Sequence, residues 1–228
     1  IDAGITRYTP VAGTLDLRQK ICEKFFRDNA VEYTPAEVIV SSGAKQSIFT
    51  ALSAILNPGD EVLLPSPCWL SYPEMVRMAG GVPVMAPGNE DRNFLAGRAE
   101  LEKFVTEKTK ALILNSPNNP NGCVWPRELL KGIAELAVEK GFYVISDEIY
   151  EKLVYDDTRH VSIASLGEAI KEQTIVVNGV SKTYAMTGWR LGYAAGPLPV
   201  IKAMTSFQSH STSNANSIAQ YATGVALT

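Results

Sequence analysis

The sequence predicts an α/β fold in which a mostly parallel sheet carries helices on both faces. Three observations predict it. Short apolar, β-branched runs alternate along the whole chain with longer segments whose apolar residues recur every three to four positions. Polar residues suited to ligand contact fall repeatedly just after the strand-like runs, which is where open sheets of this kind bind ligands. Finally, 228 residues, 46% hydrophobic and 20% charged, suffice for one large domain with a generous core.

The elements follow in order. Thr14 is placed to cap a helix carrying Leu17, Ile21 and Phe25 at four-residue spacing. Val38 to Val40 reads as a strand, followed by Ser41-Ser42-Gly43 and a helix with Ile48, Leu52 and Ile55. Asn57-Pro58-Gly59-Asp60 is a turn before a strand from Glu61 to Leu64. A helix from about Trp69 to Ala79 precedes a strand from Val82 to Met85, and a further helix lies near Ala99 to Val105. Ala111 to Leu114 is an apolar strand ending at Asn115, and Pro126 sits where a first-turn proline opens a helix to about Lys140. Phe142 to Ser146, Thr174 to Val177 and Leu191 to Ala195 are further strands, and helices containing Met204 and Ile218 close the chain.

Bulk properties exclude several classes of function. A net charge of −3 gives no reason to expect nucleic acid or an anionic membrane as partner. Cys22, Cys68 and Cys123 are an odd count without CxxC spacing, which suggests reduced thiols and a cytoplasmic protein. No apolar run reaches the ~18 residues of a membrane span, and no signal peptide opens the chain. No HExxH or CxxC spacing suggests a metal site, and His160 and His210 read as surface residues. Ile1 is not a methionine and the last residues stop inside a helical pattern, so a fragment cut at both ends is expected.

Four segments carry the chemistry: Ser42-Gly43-Ala44-Lys45-Gln46, Asn118-Asn119-Pro120-Asn121-Gly122, Asp147-Glu148-Ile149-Tyr150, and Ser181-Lys182 with Arg190. Ser42 to Gln46 reads as a strand-to-helix turn whose Ala44 and Lys45 N–H groups can face an anion, or as a plain helix start capped by Ser42. Asp147 ends an apolar strand, where an unpaired carboxylate is costly, though a helix cap or surface turn is the plainer alternative. An Asn-Pro pair alone is most often a turn, and a lone lysine most often a solvated one.

Together, in this order and spacing, the four segments resemble fold-type I pyridoxal 5'-phosphate (PLP) enzymes, in the class I aminotransferase group that includes aspartate aminotransferases. Gly179-Val180-Ser181-Lys182 followed by Thr187-Gly188-Trp189-Arg190-Leu191-Gly192 is similar to that family's lysine-attachment signature. The resemblance runs from about Tyr8 to the chain end and implies that residues 1–228 are the PLP-binding large domain, with an N-terminal segment and a C-terminal small domain lying outside it.

Residue by residue, the resemblance implies that Lys182 forms the Schiff base with the cofactor and then moves the proton at the substrate α-carbon. Desolvation and neighbouring cations would lower the pKa of such a lysine. Asp147 would pair with the pyridinium nitrogen, and Tyr150 and Asn119 would contact the phenolic oxygen from its two sides. Ser181 and Arg190 would hold the phosphate with the Ala44 and Lys45 amides. Trp69 would stack on the ring, although a tryptophan at a helix start is more often core, and Trp69 and Asn119 would also touch substrate. Tyr8 would reach the phosphate of a neighbouring subunit, which implies a homodimer. Lys45 resembles the lysine of the bacterial aspartate aminotransferase subgroup associated with acidic side chains, and otherwise reads as a solvated helix residue.

The sequence departs from the family pattern at Asn121, where threonine is usual, and at Gly179, where a serine often supplies a phosphate ligand. The expected reaction moves the amino group of aspartate to 2-oxoglutarate; an aromatic or prephenate-type substrate, or a PLP lyase reaction, is the alternative. A regulatory sensing module would need an attached DNA-binding segment, and a nicotinamide dehydrogenase would need GxGxxG, which this chain lacks. The family holds the substrate α-carboxylate with an arginine of its small domain, and no arginine follows Arg190, so the 228 residues alone are expected to bind cofactor poorly and to transaminate hardly at all.

Overall fold

Glu61 to Ser66 (β2) pairs in parallel with both Val82 to Pro87 (β3) and Thr109 to Asn115 (β4). Parallel pairing continues from β4 to Tyr143–Asp147 (β5) and on to Thr174–Gly179 (β6). Gly192–Ala195 (β7) then reverses, pairing antiparallel with β6 on one side and with Val38–Ser41 (β1) on the other. Among the residues that this computed structural model describes, 2 and 4–228, one seven-stranded sheet results, in the order β1-β7-β6-β5-β4-β2-β3. The mostly parallel sheet expected from the sequence is present, with β7 as its one reversed strand.

The helices are Leu15–Asn29 (α1), Ala44–Ile55 (α2), Ser71–Met78 (α3), Arg98–Leu101 (α4), Arg127–Lys140 (α5), Glu168–Lys171 (α6), Leu198–Ser211 (α7) and Ser217–Ala226 (α8). Strand residues alternate between two cores, as a pleated sheet requires. Ile39, Val62, Leu64, Ile113, Ile145 and Val177 pack with α2, α3 and α7. Leu63, Leu112, Leu114 and Val144 face α5, and Val38, Val40, Val176 and Tyr193 face α1 and α8. Both faces of the sheet are therefore covered.

Local chemistry explains the helix ends. Thr14 caps α1 by accepting from the Leu17 N–H at 3.3 Å, and Asn216 caps α8 through the Ala219 N–H. Gly141, at φ 74°, closes α5 in the left-handed conformation. Three of the boundaries that differ from the sequence reading are at helix starts or within a helix. Pro126, at φ −68° and ψ 152°, is the cap of α5 and not its first turn. Trp69 lies in the turn before α3, and the segment near Ala99 divides into α4 and a 3₁₀ turn over Glu102–Phe104. Pro126 and Trp69 belong to the loop backbone before the helical hydrogen bonds begin.

Two glycines let the chain close around the reversed strand. A Cβ on Gly192 would lie 2.2 Å from the Ala44 nitrogen, and one on Gly179 would lie 2.9 Å from the Gly192 Cα. The turn from β1 into α2 therefore folds directly over the start of β7. Gly192→Ala is expected to destabilise the fold by about 2 kcal/mol or more through overpacking against backbone. Gly188→Ala, whose Cβ would meet nothing within 4 Å, is expected to be near neutral. Urea unfolding of the two variants checks the contrast.

Candidate active site

Because β7 is the only reversed strand, the carboxyl ends of β1, β4, β5 and β6 and the start of β7 share one edge of the sheet. A cavity of about 280 Å³ opens there. Its wall brings together Ala44, Lys45, Trp69, Asn119, Asp147, Tyr150, Ser181, Lys182 and Arg190, nine of the ten site residues expected from sequence. The tenth, Tyr8, does not belong to this wall. Its side chain is 92% exposed and lies in a separate cleft beside Arg7, Ser213 and Asn214.

Asp147 sits at the floor, at the last position of β5, and is almost wholly buried. Its Oδ2 accepts from the Tyr72 hydroxyl at 2.7 Å and its Oδ1 from the Ile149 N–H at 3.2 Å. No cation pairs with it among the described residues. Burial pushes its carboxyl up to about 6, against the two hydrogen bonds, and the neighbouring Glu148 charge adds to the rise. A buried carboxylate in this state is suited to a cationic ring N–H.

Tyr150 and Lys182 occupy the wall beside it. The Lys182 ammonium lies 5.6 Å from the centre of the Tyr150 ring. Burial raises the Tyr150 hydroxyl above its ordinary value, the Asp147 charge adds to this, and contact with the Asn119 side chain pulls the other way. Asn115, at the end of β4, fixes the neighbouring loop: its amide donates to the Asp147 carbonyl at 2.9 Å, and its Oδ1 accepts from the Asn119 N–H at 2.7 Å. Trp69 meets Tyr72 edge to face at 5.4 Å, and Lys45 holds its ammonium 4.6 Å above the Trp69 ring.

At the other end, Gly43 at φ 96° turns the chain so that α2 begins at Ala44, with its first N–H groups at the cavity. The Arg190 guanidinium packs so close to Gly43 that a Cβ there would fall 2.5 Å from its Nη2. Arg190 is itself in the left-handed region at φ 52°, and its Nη1 donates to the Thr187 carbonyl at 2.9 Å. A helix N-terminus and a guanidinium converge here on one anion-sized space.

The sequence reading missed Tyr72, Asn115, Ile149 and Thr187 in the wall. Asn115 carried a signal, a polar residue ending an apolar strand. Tyr72, three residues after Trp69 and close to Met75 and Val76 on the same helix, carried no such signal. The assignment of both histidines to the surface needs one correction. His210 is exposed, but the His160 side chain is only 7% exposed and lies 3.1 Å from Glu148 Oε2. The Glu148 charge, buried without access to water, draws it inward.

The raised Asp147 pKa has a sign that can be measured. The folded chain binds this proton more tightly than the unfolded chain, so no destabilisation exists below the ordinary value of 3.8. The penalty grows as pH rises to about 6 and is constant above that. Without cofactor, Asp147→Asn is therefore expected to stabilise the fold at pH 7, by at most on the order of 3 kcal/mol, and to give no gain near pH 4. Denaturant unfolding at the two pH values checks this.

The chain matches the class I and II aminotransferase family over residues 2–228. It is 52% identical over 219 residues to an aspartate aminotransferase of Bacillus sp. (strain YM-2), covering 96% of this chain and 56% of that protein. The structure of Thermus thermophilus aspartate aminotransferase with maleate superposes with a TM-score of 0.96 at 50% identity, over 100% of this chain and 58% of the other. An aromatic aminotransferase from Pyrococcus horikoshii OT3 does so with a TM-score of 0.96 at 48% identity, over 99% and 61%. The chain thus spans a little over half the length of the relatives it matches. On family match, identity and fold together, it belongs to the class I and II aminotransferases.

Proposed function

We propose that this chain is the PLP-binding large domain of an aminotransferase that moves an amino group from aspartate to a 2-oxo acid such as 2-oxoglutarate. The observation that carries the reading is one cavity with a buried, cation-free carboxylate at Asp147, an anion cradle at Ala44, Lys45 and Arg190, and Lys182 in the same wall. Those residues fit PLP, which carries a ring nitrogen, a phenolic oxygen and a phosphate. When bound, PLP supplies an electron-accepting ring.

In this reading Asp147 keeps the ring nitrogen protonated, and Tyr72 and the Ile149 N–H hold the carboxylate in place for it. Tyr150 and Asn119 bind the phenolic oxygen. Arg190, Ser181 and the Ala44 and Lys45 amides bind the phosphate, with Gly179 supplying no hydroxyl, so the load falls on Arg190 and the helix terminus. Trp69 covers the ring, and its edge-on contact with Tyr72 fixes its tilt. Lys182 is the residue whose amine would hold PLP covalently as a Schiff base, and the same amine would carry the proton at the substrate α-carbon.

Aspartate is favoured by Lys45, whose ammonium stands over the Trp69 ring, where it can meet a distal carboxylate. The relative solved with maleate, a dicarboxylate, points the same way. The aromatic aminotransferase among the similar structures keeps an aromatic substrate as the second reading. The exposed Tyr8 fits a role at the site of a second copy, and the partner is a homodimer mate. Three free thiols fit a reducing, cytoplasmic setting; among the described residues no helix is long and apolar enough to cross a membrane.

Borohydride reduction with PLP, followed by peptide mapping, tests the reading. The peptide bearing Lys182 is expected to carry the label, and Lys182→Ala to carry none. Label on Lys45 or Lys202 would overturn the assignment. For substrate, Lys45→Ser in the intact enzyme is expected to lower kcat/KM for aspartate by about tenfold, the worth of one charged contact, and to leave phenylalanine nearly unchanged. An unaltered ratio removes Lys45 from recognition.

A further inference from the structure

Behind the wall that carries Asp147 and Tyr150 lies a second set of buried charges that the proposed reaction does not use. Lys24 and Asn29 come from α1. Ser146, Glu148 and Glu151 come from β5 and the turn after it, and His160 and Ser162 from the segment ahead of α6. Glu148 is wholly inaccessible, and Lys24, Asn29 and Glu151 are nearly so.

The carboxylate oxygens in this set are occupied. Glu148 Oε1 accepts from the Ser162 hydroxyl at 2.7 Å and the Ser146 hydroxyl at 3.0 Å. Its Oε2 accepts from the Asn29 amide at 3.2 Å and lies 3.1 Å from His160 Nε2. Glu151 accepts from the same amide at 2.7 Å and pairs with Lys24, which also donates to Asn29 Oδ1 at 2.7 Å.

Charge balance then decides the state of His160. Glu148 and Glu151 contribute two negative charges and Lys24 one positive, so a neutral imidazole would leave one net charge buried, which is strongly unfavourable. Glu148, Glu151 and His160 could between them ligate a metal ion. Lys24, however, already stands against Glu151, and the imidazolium supplies the second cation.

We propose that His160 is a buried imidazolium whose ion pair with Glu148 makes both of them positioning residues, fixing the Asp147–Tyr150 turn and setting the charge that Asp147 faces. The role at the cofactor rests on the aminotransferase reading; the ion pair does not.

The mechanical link is short. Glu148 stands between Asp147 and Ile149, and the Ile149 N–H is one of the two donors that Asp147 receives. The Glu148 N–H donates to the Val177 carbonyl at 2.8 Å, and its carbonyl accepts from the Glu151 N–H at 3.0 Å. Displacing the Glu148 side chain therefore disturbs the donor on Asp147 and the turn that presents Tyr150. The electrical link is the Glu148 charge itself, which pushes the Asp147 carboxyl upward and 3.1 Å from which the His160 ring stands.

The groups facing His160 are Lys24 from α1 and Glu148 and Glu151 from the turn, with Tyr33, from the loop after α1, also within reach of the Glu148 charge. Asp28, held by Arg27 and Lys152, lies at the rim. Burial alone would lower the His160 pKa, but the charge of Glu148 at 3.1 Å, with that of Glu151, outweighs it and raises it, against Lys24. A raised histidine pKa contributes stability that is complete below the ordinary value of 6.5 and is lost as pH rises through the folded value.

Histidine Cε1–H NMR of the cofactor-free protein against pH is the first measurement. The His160 midpoint is expected above the ordinary value of 6.5 and, in Glu148→Gln, below the wild-type midpoint. A wild-type His160 that titrates at or below 6.5 overturns the ion pair, whether or not the variant folds.

The second measurement follows the absorption band of PLP bound at Lys182 against pH. Removing a negative charge in Glu148→Gln is expected to lower the band's midpoint, and removing a positive one in His160→Gln to raise it. Shifts in the same direction, or none, overturn the positioning role, since a purely structural defect has no reason to follow the sign of the charge. An intact enzyme that takes up no PLP overturns the function reading instead, and the NMR titration still decides the ion pair.

Discussion

A carboxylate placed at the end of a strand covered on both faces has little water to draw on, and the arrangement around Asp147 follows from that. Two neutral donors, the Tyr72 hydroxyl and the Ile149 N–H, hold its oxygens without cancelling its charge. Its carboxyl is pushed up to about 6 as a result. Such a group is uncomfortable alone and comfortable beside a cation. The fold thus carries an energetic deficit at one atom, and a protonated ring nitrogen would remove it. In the proposed reading, binding and chemistry would then be two uses of one interaction, because the charge that would draw in PLP would also keep its ring electron-poor.

That interaction is useful only if the far end of the ligand is held at a fixed distance, and here β7 matters. Its reversal places Gly192 between the ends of β1 and β6, in register with Ser41 and Gly179. Glycine at both 179 and 192 lets the β1–α2 turn settle onto the strand start, so the first N–H groups of α2 arrive at the cavity beside Arg190. In the proposed reading, the end that would take the phosphate is therefore set by backbone crowding within the sheet, and the ring end by the polar terminus of β5. Both are rigid, as positioning reacting groups demands.

Legibility in the sequence divides along the same line. Lys182, Asp147, Asn119 and Arg190 could be read because each follows an apolar run or sits in a spaced motif, and strand ends on a parallel sheet fall on one edge. The alternation of strands and helices survived almost intact, since apolar periodicity is a local property. Tyr72 could not be read: an aromatic beside Met75 and Val76 on a helix looks like core until the helix is laid over β5. His160 was misread because its environment is assembled from α1 and the β5 turn, and no local pattern reports a carboxylate brought from elsewhere. Pro126 failed for a smaller reason, since cap and first turn differ only in ψ. What escaped the sequence is what tertiary contact creates, the partners that turn a polar residue into a buried one.

The same distinction bears on specificity. Asp147 acts from the dry floor of the cavity, where charge interactions are strong, whereas Lys45 stands at an exposed rim over the Trp69 ring. A cation in contact with water discriminates weakly between a carboxylate and a neutral side chain, because the solvent screens it. Its influence grows as water is excluded, which for an open cavity requires a covering segment or a second subunit. In the proposed reaction, then, recognition of the cofactor is built into this domain, while recognition of the substrate's distal group depends on what closes over it. That asymmetry fits a family in which one fold serves both aspartate and aromatic aminotransferases at similar overall identity. The floor is common to them, and the rim is where they can differ.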